Sequence, residues 1–257
     1  MITIPDLIPY AERYARMEME PLRITLYPRT NAHLVSYDPV LLDNLLARCV
    51  LDAATQGERL LNGDDGYDLP APLRCLWRDE RGYPLWAATP FMPVGDYERD
   101  VVYQHKRVQS GRWTAARGKN GYGVPTVSGR WMERRAPLPT IVCAEFVATC
   151  IGNAIEIGRL LEQLTHVGKR RAIGFGEIDH WLIEPLGHDF LLVDEIARLT
   201  RSLPAAAFEA LLPRCYEPLE APVPVGWTPP QWKPELFTLG WMAGAEMRIE
   251  WYEAAPT

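Results

Sequence analysis

Residues 168–176 combine residue types that suit anion binding, because three consecutive cations lie among three glycines. The loop residues concerned are Gly168, Lys169, Arg170, Arg171, Gly174, Phe175 and Gly176. Glycine lets the backbone adopt positive φ, and exposed N–H groups of such a loop point at anionic oxygens while Lys and Arg supply charge. The pattern predicts phosphate contact, with Phe175 against a base. The alternative is a tight helix-to-strand connection with solvated cations. The segment lacks the Gly-Lys-Ser/Thr motif at the spacing of a nucleotide P-loop.

A second basic segment spans residues 106–135, with eight cations and one acid, Glu133. The cations and the interleaved aromatic residues predicted to bind RNA are Lys106, Arg107, Arg112, Trp113, Arg117, Lys119, Tyr122, Arg130 and Trp131. Arg134 and Arg135 complete the charge. Aromatic rings beside arginine suit unstacked RNA bases, whereas a purely solvating loop seldom carries such apolar area. A solvated, disordered loop is the alternative.

The residues Tyr103, His105 and Lys106 form one candidate catalytic group. Metal-independent RNA cleavage needs one group to activate the 2′-hydroxyl and another to protonate the leaving oxygen. In a strand, however, Tyr103 and His105 share one face while Lys106 takes the other, which counts against a compact triad. The alternative role for His105 is a phosphate or structural contact. No carboxylate set indicates a metal site, and Asp64-Asp65 fits a solvated turn, so we expect neither metal nor cofactor.

The composition of the 257-residue chain, 47% hydrophobic and 23% charged, is that of an ordinary globular protein. Its net charge of −6 argues against a general nucleic-acid binder, so the concentration of cations in residues 106–135 points to a local anion-binding surface. Five scattered cysteines without a C-x-x-C pair fit a reducing cytosol. Neither a signal peptide nor a membrane-spanning run is evident, which predicts a cytoplasmic protein.

The hydrophobic spacing predicts an α+β protein whose elements alternate in a characteristic order. The predicted elements are helix 6–17, strand 22–27, helix 39–51, strands 83–88, 98–107 and 140–148, helix 154–164 and strand 177–184. Asp38 and Asn153 are the predicted N-caps of the second and third helices, with Pro39 at the first position of the second helix. Residues after Thr200 are Pro-rich and predict an extended tail anchored by indoles. The order strand, helix, strand, strand, helix, strand is the ferredoxin-like (RRM-like, βαββαβ) arrangement.

This order, with a basic Gly-rich loop before the last strand, resembles the RAMP superfamily of CRISPR-associated proteins. An early helix of Asp38–Ala47, the Lys106-Arg107 pair, the loop 168–177 and Trp181–Glu184 follow in the order expected of that family. The later residues Arg201–Pro204 and Trp227–Trp232 also fit. Together, over residues 22–235, they are similar to the Cas-five-like RAMP subunit of type IV CRISPR effector complexes. Ile173 departs from the pattern of the family, in which a polar residue is common at this position.

The resemblance implies an RNA-binding structural subunit that grips the 5′ handle of the guide RNA (crRNA) and caps the effector ribonucleoprotein. Its partners would be the backbone RAMP subunit, the large subunit and, indirectly, target DNA in antiviral defence. It implies an N-terminal extension (1–21), a RAMP core (22–190) with a basic arm or thumb at about 106–137, and a Pro-rich C-terminal extension packed on the core (191–257). Catalysis is not required. The alternatives are a metal-independent endoribonuclease that processes the guide precursor, and a RAMP-like decoy carried by a mobile element.

Overall fold

The computed structural model describes residues 3–29, 34–35, 39–57, 67–106, 134–168, 171, 174–231 and 233–249. Its helices are α1 (Ile8–Tyr14), α2 (Leu42–Thr55), α3 (Ala154–Leu161) and α4 (Ala205–Leu211), with 3-10 turns at Pro5–Leu7 and Pro234–Leu236. Its strands are β1 (Glu20–Pro28), β2 (Leu34–Val35), β3 (Cys75–Arg78), β4 (Pro84–Trp86), β5 (Met92–Lys106), β6 (Arg134–Gly152), β7 (Ile178–Pro185), β8 (Leu203–Pro204), β9 (Tyr216–Pro218), β10 (Val223–Gly226), β11 (Phe237–Trp241) and β12 (Met247–Ile249). The architecture is mixed α+β with antiparallel sheets. Among the described helices none has the length and apolar character to span a membrane.

One antiparallel sheet of five strands organises the first part of the chain. β6 lies at its centre and pairs with β1, β2 and β5, and β7 pairs with the other side of β1. Since β5 shares residues 140–141 of β6 with β2 and residues 146–147 with β1, β1 and β2 must lie on the side of β6 opposite β5. The sheet therefore reads β7–β1–β6–β5, and β2 continues the line of β1.

The main core lies between this sheet and the helices α2 and α3. Alternate residues of β1 (Leu22, Ile24 and Leu26) are almost fully buried, as the period-2 pattern predicts. They pack in one cluster with side chains of β6, α2 and α3: Phe146, Ala148, Cys150, Leu42, Leu46, Val50, Ile157, Leu160 and Leu161. The two helices thus cover one face of the sheet.

The start of α2 differs from the prediction. The helix begins at Leu42, preceded by Leu41 in an extended conformation, and no side chain caps it. Asp38 lies outside the described residues, and Pro39 precedes the helix, so the predicted cap and first position are wrong. The reason is tertiary, because the backbone N–H of Phe91 donates to the Val40 carbonyl (2.7 Å) and holds this segment extended. The predicted cap of α3 is confirmed, since Asn153 Oδ1 accepts from the Glu156 N–H (3.0 Å).

The strands between α2 and α3 also differ from the predictions in their limits and pairing. The predicted strand at 83–88 corresponds to β4, which pairs with β3 in a separate two-stranded sheet. The strand of the main sheet is β5, which contains the charged run that begins at Glu98. β6 begins at Arg134, six positions before the predicted start, and includes Pro137 and Pro139.

The prediction of an extended tail after Thr200 is wrong. This region contains α4 and β8–β12, arranged in a three-stranded and a two-stranded sheet. It surrounds a second core in which Trp227 is fully buried with Leu203, Phe208 and Met247. Leu85 of β4 belongs to the same cluster. The C-terminal region therefore packs on a strand that precedes the long strands β5 and β6 in the chain.

Candidate nucleic-acid interface

The Gly-rich loop connects α3 to β7, as the sequence predicts. Two hydrogen bonds close its base, one from the Val167 N–H to the Gly176 carbonyl (2.8 Å) and one from the Ile178 N–H to the Thr165 carbonyl (3.0 Å). A backbone turn within the loop is closed by Gly174 N–H donating to the Arg171 carbonyl (3.0 Å). The loop is therefore held at its base, and its described residues Arg171 and Gly174 are exposed.

All three glycines of this loop adopt the positive φ values that motivated their assignment. The φ angles are +79° at Gly168, +89° at Gly174 and +69° at Gly176. Gly176 has a further requirement, because a Cβ there would lie 1.9 Å from the Val167 carbonyl oxygen, whereas a Cβ at Gly174 would meet open space. Gly176 is thus needed for a close backbone approach, and Gly174 for its φ angle alone.

Arg171 is the cation of this loop that the structure describes, and its side chain is exposed. Its charge acts on the Cys49 thiol of α2: burial raises the pKa of Cys49 to about 12, Asp52 adds to the shift, and Arg171 opposes it. Phe175 is half-buried. Lys169 and Arg170 lie outside the described residues.

The strands β5 and β6 project from the sheet as a two-stranded ribbon. Beyond the β2 pairing at residues 140–141, six further residue pairs join Val101–Lys106 to Arg134–Pro139. At about 3.3 Å per residue, this ribbon is about 20 Å long. It leads into the basic segment, whose residues 107–133 lie outside the described part, including Arg107, Arg112, Trp113, Arg117, Lys119, Tyr122, Arg130 and Trp131. Lys106 is the last residue of β5.

The ribbon and the Gly-rich loop leave the same end of the sheet. β7 begins beside the end of β1, since Ile178 pairs with Pro28. β6 runs antiparallel to β1, with Glu20 opposite Gly152 and Leu26 opposite Phe146, so the Arg134 end of β6 also lies beyond the end of β1. The loop leaves from the β7 edge and the ribbon from the β5 edge. The two predicted anion-binding segments therefore share one end of the sheet.

The two faces of the ribbon differ in chemistry. From Tyr97 onward the pairing of β5 with β6 has no register shift, so successive residues alternate between the two faces. One face carries Tyr97, Arg99, Val101 and Tyr103, all exposed, and the other carries Glu98 and Asp100. The guanidinium carbon of Arg135 lies 4.0 Å from the centroid of the Tyr103 ring, and that of Arg99 lies 5.8 Å from the Tyr97 ring. Both distances are within cation–π range.

This aromatic and cationic face was not predicted from the sequence. Tyr97, Arg99 and Arg135 are absent from the predicted RNA-binding residues. The signal that identifies the face is the alternation Tyr-x-Arg-x-Val-x-Tyr over 97–103, which places both ring types and the cation on one side of a strand.

The candidate catalytic residues lie at the end of β5. Tyr103 and His105 take alternate positions, opposite Pro137 and Arg135, and so share one face of β5. Lys106 takes a position of the other face, opposite Arg134. The side chains of His105 and Lys106 lie outside the described part. The Tyr103 ring is the one that Arg135 covers.

Two other histidines lie near the base of the Gly-rich loop. His180 of β7 stacks on Tyr27 with 4.4 Å between ring centroids, and its Nδ1 lies 2.8 Å from the Asp179 carboxylate. His166 pairs its Nδ1 with the Thr165 hydroxyl (3.0 Å). Burial raises the pKa of Tyr27, and the charge of Glu145 raises it further. Within the described ranges, no cluster of three or more His, Cys, Asp or Glu residues could hold a metal ion.

The tryptophans after Thr200 separate into core and surface. Trp227 is fully buried, and Trp241 is half-buried against Phe208 while its Nε1–H donates to the Glu220 carbonyl (2.8 Å). Trp232 lies outside the described residues. The predicted anchoring by indoles therefore holds for Trp227, which lies in the second core.

Comparison with known families finds no family model that matches this chain, and comparison with curated proteins finds no significant match.

Proposed function

We propose that this protein is an RNA-binding structural subunit of a type IV CRISPR ribonucleoprotein that holds the 5′ handle of the guide RNA. Across the sheet the strands lie in the order β7, β1, β6, β5, which are the fourth, first, third and second of these four strands along the chain. This order supports a ferredoxin-like core. α2 follows the first of these strands and α3 the third. These placements support the βαββαβ arrangement that the Cas-five-like resemblance implies.

The observation that carries the proposal is the shared end of the sheet from which the basic segment and the Gly-rich loop emerge. Residues 106–135 carry net +7 in a chain of net charge −6. A local cationic surface on an otherwise acidic body favours one polyanion site over general nucleic-acid adhesion. We infer that the ribbon that supports the basic segment is the counterpart of the arm or thumb that the RAMP resemblance implies.

The proposed role is to bind a single-stranded handle and to contact neighbouring subunits of the complex. Single-stranded RNA presents splayed bases as well as phosphates, which matches the mixture of aromatic and cationic residues. The backbone RAMP and large subunits are the proposed protein partners, guide-directed DNA targeting the proposed task, and the cytoplasm the proposed location.

Fluorescence anisotropy with labelled guide-repeat RNA in EDTA tests the proposal. The wild-type chain should bind the RNA without cutting it. The triple variant K169A/R170A/R171A should bind roughly tenfold or more weakly, because each lost phosphate contact removes charge-assisted binding. The matched control R198A/R214A/R248A removes three exposed cations far along the chain and should keep wild-type affinity.

Two results would contradict the proposal. Equal affinity of the loop triple variant and the control triple variant would remove the loop from the RNA site. Specific cleavage of the RNA in EDTA that disappears in His105→Ala would show that the chain is the endoribonuclease of the alternative interpretation.

A further inference from the structure

A groove of about 380 Å³ lies where the ribbon leaves the body of the protein. Its walls come from the segment before α2, from the start of β5 and from β6, and include Val40, Phe91, Tyr97, Arg99, Val101 and Ile141. The volume falls in the range of about 300–1,000 Å³ typical of small-ligand pockets. The groove is mainly apolar, with the Arg99 guanidinium and the Asp100 carboxylate at its border.

The exposure of its side chains shows that the groove is open. Tyr97 is 47% exposed, Val101 44% and Met92, which also lines the groove, 51%. Large apolar side chains that stay this accessible while Phe91 beneath them is buried form a shallow pocket with an apolar floor. Such a pocket suits a flat, apolar ligand face.

We propose that this groove holds one unstacked base of single-stranded RNA, with the Tyr97 ring against the base and Arg99 on the adjoining phosphate. This inference rests on the proposed RNA-binding function and adds a base-binding site to it. Tyr97, Arg99 and Val101 lie on the aromatic and cationic face of the ribbon, so a strand following Tyr103 and Arg135 along that face reaches the groove.

Charge complementarity favours a nucleic acid as the occupant. Arg99 and Arg135 lie on the groove face of the ribbon, whereas Glu98 occupies the opposite face. Asp100 of that opposite face also borders the groove, where its carboxylate accepts a hydrogen bond from the Val101 backbone N–H (2.6 Å), so Arg99 and Arg135 outnumber one carboxylate on this side of the ribbon. A strand tracking the groove face therefore meets cations and rings.

The edges of the ribbon argue against an added β-strand as the occupant. Pro137 and Pro139 take alternate positions on β6, and proline has no N–H to give to a further strand. On β5, the Val101 N–H is satisfied by Asp100. Protection at these positions favours the faces of the ribbon as its binding surfaces.

A set of handle RNAs, each with 2-aminopurine at a single position, tests the site, because stacking quenches the fluorescence of this base. We expect one position whose fluorescence falls on binding to the wild-type chain. Tyr97→Leu should restore the fluorescence at that position and weaken RNA binding roughly tenfold, in line with the loss of one base–aromatic stack. Tyr97→Phe should retain the quenching, and the control Glu98→Gln, on the opposite face, should change neither measurement.

The experiment separates this inference from the proposed function. The loop variant K169A/R170A/R171A, at a protein concentration that saturates the RNA, should still quench the same position. If RNA affinity is normal and Tyr97→Leu restores the fluorescence at no RNA position, the groove site alone is overturned. A Tyr97→Leu chain that binds RNA normally but fails to bind a neighbouring subunit would show that the groove takes a protein side chain. No RNA binding by the wild type would overturn both proposals.

Discussion

Arg201 and Asp43 form a buried ion pair, with 3.3 Å between Arg201 Nη2 and Asp43 Oδ2. Arg201 also donates to the backbone carbonyls of Trp86, Ala88 and Trp227. Burial raises the pKa of Asp43 and lowers that of Arg201, although each charge opposes the shift of the other. The pair joins α2, the segment after β4 and the C-terminal region at one point.

Arg201→Met should lower the free energy of unfolding by roughly 3–5 kcal/mol, because it leaves a buried carboxylate without its counter-ion. Urea denaturation at pH 7 measures this loss. In Arg201→Met/Asp43→Asn, the loss should be smaller than the sum of the two single losses, since the residues are in contact. Arg198→Met, which removes an exposed partner of Glu246, is the control and should cost less than about 1 kcal/mol. Additive losses in the double variant would contradict this interpretation.

Glu156 is a buried carboxylate that Tyr14, Arg13 and Arg159 hold in its charged form. Its Oε1 accepts from the Tyr14 hydroxyl (2.9 Å) and from Arg159 Nη2 (2.7 Å), and it pairs with Arg13. Burial by itself would raise the pKa of Glu156, but these donors outweigh it and the pKa is lowered. Its contribution to stability is therefore present above the unfolded-state pKa and is lost as the pH falls through the lower folded-state pKa.

Glu156→Gln should therefore destabilise the protein by about 1–3 kcal/mol at pH 7, and the difference from wild type should shrink below about pH 4. Urea midpoints at pH 7 and at acidic pH measure both effects. Glu162→Gln, an exposed glutamate just beyond the end of α3, serves as the control and should show neither. A loss that is independent of pH would show that shape rather than charge matters at this position.

Gly176→Ala should be more damaging than Gly174→Ala. Both positions have positive φ, which costs an L-residue about 1–2 kcal/mol, but only the Gly176 methyl group would collide with the Val167 carbonyl. Hydrogen exchange at the Val167 amide, which donates to Gly176, should accelerate in Gly176→Ala and stay near wild type in Gly174→Ala. Equal acceleration in the two variants would mean that φ strain alone governs the loop.

The salt dependence of RNA binding should report the number of phosphate contacts. If about six cations meet phosphates, the slope of log K against log salt should be about −4. K169A/R170A/R171A should make the slope less steep by about 2, because each contact contributes about 0.7. The triple variant R198A/R214A/R248A should keep the wild-type slope, and a flat wild-type slope would contradict phosphate binding.

Features that depend on neighbouring residues in the chain were predictable. The alternation of Leu22, Ile24 and Leu26 predicted β1, and Asn153 predicted the start of α3. Both follow from local geometry, a period of two in a strand and a side-chain oxygen three residues before an N–H. The positive φ of the loop glycines belongs to the same class.

Features that depend on distant partners were not predictable. Pro137 and Pro139 argue against a strand in isolation, yet β6 contains both because β5 lies on one side of it and no described strand lies on the other at these positions. The residues before α2 are helical by spacing but are held extended by Phe91. In each case a contact with another strand overrides the local preference.

The amino-acid sequence by itself determined the α+β class, the basic segment, the glycine conformations of the loop and the amphipathic faces of β1 and α3. Only the tertiary structure decided that the loop and the ribbon share one end of the sheet, that Tyr97 and Arg99 border a groove, and that Arg201 meets Asp43. The physical reason is distance along the chain: dihedral preferences and periodicity act over a few residues, whereas Arg201 and Asp43 stand 158 positions apart and meet only when the two cores pack.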